Sequence, residues 1–241
     1  MKKPECYIYL FFHMLLGLVV LLLSDKLRLP SWMNQSVVTF VAFLFINLNY
    51  VSFLRLTVIK EYWAPFKAWY MLPAILAGAC IATLPNALAL CFGVLKQADI
   101  TYNFASFSSV IITFFIVGWE ELWFRSVILN YCNRYLSTIH ISVVMGVLFM
   151  LVHVLNPKMH LLYTGPALFF AGALLTATYF YYRSIWVPLG LHYGNNFISE
   201  MIRPATESHL FFGGNGYLSA IILAALFLAF AYKLKRQKTA F

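Results

Sequence analysis

Apolar residues occupy the chain in blocks about as long as a bilayer-crossing helix, roughly 20 residues, and short polar stretches separate them. Eight such blocks predict helices near 7–23, 36–54, 68–93, 105–130, 138–155, 161–182, 184–202 and 215–232. The fold class this implies is all-α: a polytopic membrane helical bundle of about eight transmembrane helices. No stretch between the blocks is long enough to fold separately, so residues 1–241 form a single membrane-embedded domain. Pro73 and Pro85 fall inside the third block and predict a kink or break near Leu84-Pro85-Asn86. Pro188 falls in the first turn of the seventh helix, where proline is well tolerated.

Composition agrees with this pattern. The chain is 62% hydrophobic, 10% charged and has a mean hydropathy of +0.80, whereas a soluble domain carries about 25% charged residues. Its net charge of +9 resides in tails and short loops. That distribution bears on orientation and leaves no basic face for nucleic acid. With a cytoplasmic N-terminus, Lys2, Lys3, Arg55, Lys60, Lys67, Arg134, Arg183, Lys233, Lys235, Arg236 and Lys238 fall inside. Lys26, Arg28, Lys96, Lys158 and Arg203 fall outside, which predicts both termini in the cytoplasm. The dense aromatic-rich blocks and short loops point to a prokaryotic cytoplasmic membrane. Cys6, Cys80, Cys91 and Cys132 lack Cys-x-x-Cys spacing and are read as packing residues. Lys2-Lys3 and the apolar run after them lack a small-x-small cleavage pattern, so an uncleaved first span is expected. The basic end Lys233–Lys238 reads as a topology anchor.

Three polar clusters interrupt this apolar background. Glu120 and Glu121 lie mid-block with Arg125 four residues beyond the second. Phe149 and His153 lie in the fifth block, His192 and Asn196 in the seventh. An ionised group at the centre of a membrane helix costs about 2.5–3.5 kcal/mol even on the mildest scale. Spacings of four place Glu121 with Arg125, Phe149 with His153 and His192 with Asn196 on shared helix faces. At about 1.5 Å of rise per residue the clusters reach a common middle layer, roughly 12–22 Å from the cytoplasmic ends. A single polar pocket explains this agreement in depth better than independent packing histidines. Taken singly, each has a plainer reading: the Glu121–Arg125 pair as a helix-holding ion pair, and His153, His192 and Asn196 as hydrogen-bonded glue between helices.

A carboxylate facing an imidazole can activate a water. A further imidazole and an amide can donate hydrogen bonds to a developing oxyanion. These parts suffice to hydrolyse an acyl or peptide bond. There is no Gly-x-Ser-x-Gly elbow and no cysteine beside a partner histidine, which disfavours a covalent nucleophile. His-Glu-x-x-His is absent as well.

The ordered set Glu120-Glu121-x-x-x-Arg125, Phe149-x-x-x-His153 and His192-x-x-x-Asn196 resembles the CPBP family, the CAAX proteases and bacteriocin-processing enzymes also called Abi, which includes the type II prenyl-protein endopeptidase. Ser184–His192 has the family's character too, and the resemblance covers about 105–200. Ser126 departs from the glycine common after the arginine. The resemblance implies that Glu120 and His153 activate the hydrolytic water and that His192 and Asn196 form the oxyanion site. It implies that Glu121 and Arg125 support the first motif, with Glu121 also near the chemistry, and that Phe149 supports His153. The implied protein is an intramembrane endopeptidase acting on a hydrophobic or lipid-adjacent peptide in the cytoplasmic half of the bilayer. The prenyl-endopeptidase branch implies a metal-free glutamate protease, so no cofactor is expected; zinc is the alternative that glutamate and histidine donors leave open. The rival classes are a proton-coupled transporter, since buried acids also mark ion paths, and a non-catalytic scaffold or bacteriocin self-immunity protein of the same fold.

Overall fold

The computed structural model describes residues 62, 64–96, 100–102, 107–129, 136–154, 161–204 and 216–238. The first two predicted helices, 7–23 and 36–54, lie outside these residues, as does the question of whether the spans total eight. A 3-10 turn, Pro65–Tyr70, leads without a gap into α1, Met71–Cys91. A short strand β1, Ile100–Tyr102, precedes α2, Phe107–Glu121, and α2 continues as a π-helical segment, Leu122–Ile128. Then come α3, Thr138–Val154; α4, Leu161–Tyr182; α5, Trp186–Met201; β2, Ile202–Pro204; and α6, Tyr217–Lys238. These helices coincide with the last six apolar blocks of the sequence. Lys67–Cys91, Leu161–Tyr182 and Tyr217–Gln237 are long and apolar enough to cross a membrane. The protein is an integral membrane helical bundle.

Two features differ from the sequence expectations. Pro85 does not break its helix: α1 runs through it, and Pro85 and Asn86 lie on the buried face with Ala74, Gly78, Ala82 and Ala89. Secondly, the all-α architecture carries a small β-ladder. Ile100 pairs with Pro204, Thr101 with Arg203 and Tyr102 with Ile202, antiparallel. The chain turns extended at Ile202, which closes α5 against the segment that opens α2. The ladder thereby ties together the ends of the two helices that carry the first and third motifs.

Small residues set how closely the helices approach, the usual means of packing spans where lipid removes the hydrophobic drive. On α5, Gly190 and Gly194 are one turn apart and press on the α1 backbone. A Cβ at Gly190 would lie 2.5 Å from the Met71 carbonyl oxygen, and one at Gly194 would run into the carbonyl of Ile75. Between α3 and α4 the close point is Gly172, whose added Cβ would meet the Phe149 Cβ at 2.6 Å. In α4, Pro166 cannot donate to the Leu162 carbonyl four residues back. The Tyr217 hydroxyl of α6 donates to that carbonyl instead, at 3.1 Å. The basic end of α6 is helical and snorkels over aromatic rings, with Lys233 Nζ 5.7 Å from the Tyr181 ring and 5.6 Å from the Phe230 ring.

Candidate active site

The first motif lies where α2 widens. The Leu129 N–H bonds to the Phe124 carbonyl five residues back, closing the π-helical turn that contains Arg125. Such insertions favour functional positions. Residues 121–126 are all buried, because this segment is packed among Phe149 of α3, Tyr179 of α4 and Ile185 at the start of α5. Arg125 is fully buried, with Nη1 donating to Glu121 Oε1 at 3.0 Å and Nη2 donating to the Gly172 carbonyl at 3.0 Å. Its guanidinium carbon lies 5.5 Å from the ring centroids of both Phe124 and Phe149.

The adjacent glutamates, about 100° apart around the helix, have different surroundings. Glu121 is 1% exposed at its side chain, and its Oε1 takes both Arg125 and His192 Nδ1, the latter at 2.8 Å. Glu120 is 17% exposed, and its Oε2 faces His192 Nε2 at 3.7 Å. His192 thus stands with one ring nitrogen on each carboxylate. Asn196, one turn on, brings Nδ2 within 3.3 Å of His192 Nε2. Since an ionised carboxylate only accepts, Nδ1 of His192 donates to Glu121 and Nε2 is left for Asn196, Glu120 and anything bound between them.

His192 owes its position to both ends of α5. At the start, the Ile185 N–H bonds to the Tyr62 carbonyl at 3.0 Å, and the Trp186 indole N–H to the Ala64 carbonyl at 3.3 Å. Arg183 enters the helix from a left-handed backbone conformation (φ 48°), and Lys67 Nζ donates to its carbonyl at 2.8 Å. Pro188 sits in the first turn, as the sequence predicted.

His153 joins from α3. Its Nδ1 lies 2.7 Å from the Phe149 carbonyl oxygen, which can only accept, so Nδ1 carries the hydrogen. In the neutral ring Nε2 is then the acceptor nitrogen, the form a base requires. Phe149 bridges the two histidines, its centroid 4.4 Å from the His153 ring and 5.5 Å edge-on to the His192 ring. Phe149, His153, His192 and Asn196 also line one cavity of about 230 Å³; neither glutamate does. The three motifs therefore meet, with Glu120, Glu121, Arg125, His192 and Asn196 in direct contact and His153 attached through Phe149 and the shared cavity.

The arrangement holds a proton donor and acceptor set beside an apolar space. Among the described residues no three histidine, cysteine, aspartate or glutamate side chains converge as a metal-ligand set. Glu121 Oε1 is already shared by a guanidinium and an imidazole, which makes it a poor metal donor.

Residues 102–198 match the family model described as type II CAAX prenyl endopeptidase Rce1-like. This segment is similar to that family, consistent with the resemblance carried by the three motifs. The match takes in all three motifs and less than half of the chain. No curated protein and no solved structure matches the chain. The matched segment contains α2, α3, α4 and most of α5, whereas α1 and α6 pack around it from outside the match.

One polar contact near the site escaped the motif reading. Glu200 lies two helical turns beyond His192 on α5, and its Oε2 accepts from Thr113 Oγ1 of α2 at 3.3 Å. The spacing of four from His192 to Asn196 continues to Glu200, a signal present in the sequence. Tyr193 of α5 likewise reaches the Val110 carbonyl of α2, at 3.4 Å.

Proposed function

We propose that this chain is an intramembrane endopeptidase that hydrolyses a peptide bond in a hydrophobic or lipid-adjacent substrate, using a water activated by Glu120 and His153. The observation that carries the reading is His192, held by one nitrogen on buried Glu121 and presenting the other to Glu120 and Asn196. A structural ion pair needs only Glu121 and Arg125. It gives no reason for the half-buried second acid, for an amide at the far nitrogen of the imidazole, or for a second histidine on the same cavity.

In the proposed reaction, Glu120 and the Nε2 of His153 orient a water and take its proton as its oxygen attacks the scissile carbonyl. While His192 Nε2 is unprotonated it accepts one Asn196 N–H, and the second Asn196 N–H stabilises the oxyanion. Once Nε2 is protonated it no longer accepts, and it joins the Asn196 amide as a donor to the oxyanion. The proton removed from water passes to the leaving nitrogen as the C–N bond breaks. The products are a carboxylic acid and an amine, with no covalent enzyme intermediate and no metal in any step. Glu121 and Arg125 act through His192 as positioning residues. The protein works in the cytoplasmic membrane of a prokaryote, with both termini cytoplasmic, and its partners are the peptide substrate and the bilayer.

The test is comparative peptidomics of membranes with the wild-type protein, with Glu120→Gln and without the protein. The reading expects peptides whose termini depend on the wild-type and vanish equally in the other two. Identical peptide sets from wild-type and Glu120→Gln would overturn it.

A further inference from the structure

The end of the bundle where α1 begins and α4 and α6 finish carries a belt of aromatic rings. Tyr70 meets Tyr182 with ring centroids 6.2 Å apart, and Tyr182 meets Phe230 of α6 at 6.1 Å. Tyr181 packs edge-on against Phe230 at 5.3 Å. Tyr70, Tyr182 and the neighbouring Trp69 and Tyr232 are exposed. Amphipathic rings of this kind settle at the depth of lipid headgroups. Along the same two helices the exposed surface becomes apolar: Leu72 and Leu76 are one turn apart on α1, and Leu228 lies one turn before Tyr232 on α6.

Cations edge this belt. The Lys233 ammonium sits over the rings of Tyr181 and Phe230, and Lys67 Nζ donates to the carbonyl of Arg183, the residue after Tyr182. The only acids among the described residues are Glu120, Glu121 and Glu200. The first two belong to the candidate site, and Glu200 is bonded to Thr113 at the opposite end of α5. No carboxylate among the described residues therefore answers these charges. Arg183 adds a second signal. The Ser184 N–H bonds to the Tyr179 carbonyl at 3.3 Å, closing the end of α4 as a Schellman turn with Arg183 at its left-handed position (φ 48°). Glycine is the customary residue there, because a Cβ makes the conformation unfavourable. The chain keeps an exposed arginine at a point where glycine would relieve the backbone.

We infer that Lys67, Arg183 and Lys233 form a binding site for the phosphate of an anionic phospholipid, with Tyr182 and Phe230 beside the headgroup and the acyl chains along the exposed leucines of α1 and α6. Two of the three cations are held before any lipid arrives, Lys67 by a hydrogen bond and Lys233 by two rings, so less side-chain freedom is lost on binding. The positive balance selects an anion, and the apolar surface beside it selects one with hydrocarbon chains over a soluble phosphate. This is also the end that the charge asymmetry of the chain assigns to the cytoplasm, where the leaflet is anionic. Each lysine or arginine near such a surface strengthens attraction by about fivefold. The inference stands apart from the endopeptidase reading, since none of its residues belongs to the catalytic set.

The experiment uses the full chain in detergent, with bound lipid followed by native mass spectrometry during titration with phosphatidylglycerol or phosphatidylcholine. The wild-type should retain phosphatidylglycerol about tenfold or more in preference to phosphatidylcholine. Lys233→Gln and Arg183→Gly should each weaken that retention about fivefold, and the double variant about 25-fold. Arg183→Gly suits the left-handed backbone, so the lipid-free protein should melt no lower than the wild-type, and its weaker retention then reports the lost guanidinium rather than a damaged fold. Lys235→Gln, about 200° around α6 from Lys233, should leave retention nearly unchanged. Equal losses from Lys233→Gln and Lys235→Gln would reduce the site to diffuse surface charge and overturn it. So would equal retention of the two lipids by the wild-type, or displacement of phosphatidylglycerol by inorganic phosphate at comparable concentration, which would make the ligand a soluble anion.

Discussion

Replacing Arg125 with methionine is the sharpest test of how the site is built. The substitution keeps much of the side chain's length and removes its charge. Arg125 and Glu121 are both fully buried, so the glutamate would lose its guanidinium partner in a place that water does not reach. Removing one member of a buried pair costs about 3–5 kcal/mol, whereas replacing both with apolar residues is often neutral or stabilising. Against a total stability of about 5–15 kcal/mol, Arg125→Met should visibly weaken the fold, and Glu121→Leu/Arg125→Met should recover most of the loss. Activity should behave differently. The double variant removes the Oε1 atom that holds His192 Nδ1 at 2.8 Å, so it should be stable and still lack turnover. The assay is unfolding in detergent by denaturant titration, with cleavage measured on the same preparations. A double variant as unstable as the single one would refute the buried-pair argument. A stable double variant with wild-type turnover would refute the positioning role of Glu121.

Other expectations follow from individual contacts. Glu120→Gln preserves shape and, since Glu120 is not the Arg125 partner, should leave unfolding nearly unchanged while reducing turnover by a factor of about 10²–10⁴. Asn196→Ala should reduce kcat by about 10²–10³, the usual effect of losing one oxyanion donor. Tyr217→Phe removes the hydroxyl that satisfies the carbonyl opposite Pro166 and should cost about 0.5–1.5 kcal/mol in the unfolding assay without affecting cleavage. Extended treatment with a strong chelator should leave activity intact; loss of activity that zinc restores would overturn the metal-free reaction.

The sequence revealed the motifs because helical spacing is regular: four residues separate Glu121 from Arg125, Phe149 from His153 and His192 from Asn196, and all three pairs meet through their side chains, the first and last by hydrogen bonds and the middle one by ring contact. The same spacing distinguishes the two glutamates, since Arg125 can reach only one of them. Other features depend on tertiary contacts that a single sequence does not display. Pro85 reads as a helix breaker until a close neighbouring helix is seen to bury that face. The π-helical turn at Leu122–Ile128 has no local signature. The glycines at 190 and 194 look like loosened helix until α1 is found against them. Tyr217 could be matched to Leu162 only after α4 and α6 were placed side by side. Glu200 is the exception: its spacing was readable, and it was missed because it lies near the end of its block rather than in the middle layer.

The central claim is that Glu120 activates a water for peptide hydrolysis inside the membrane. Its most direct test is single-turnover cleavage by purified protein in proteoliposomes, comparing wild-type with Glu120→Gln on a peptide found by the peptidomic comparison. The account predicts cleavage by the wild-type, with oxygen from labelled water in the new carboxylate, and none above background by the folded variant. Equal rates from the two proteins would contradict it.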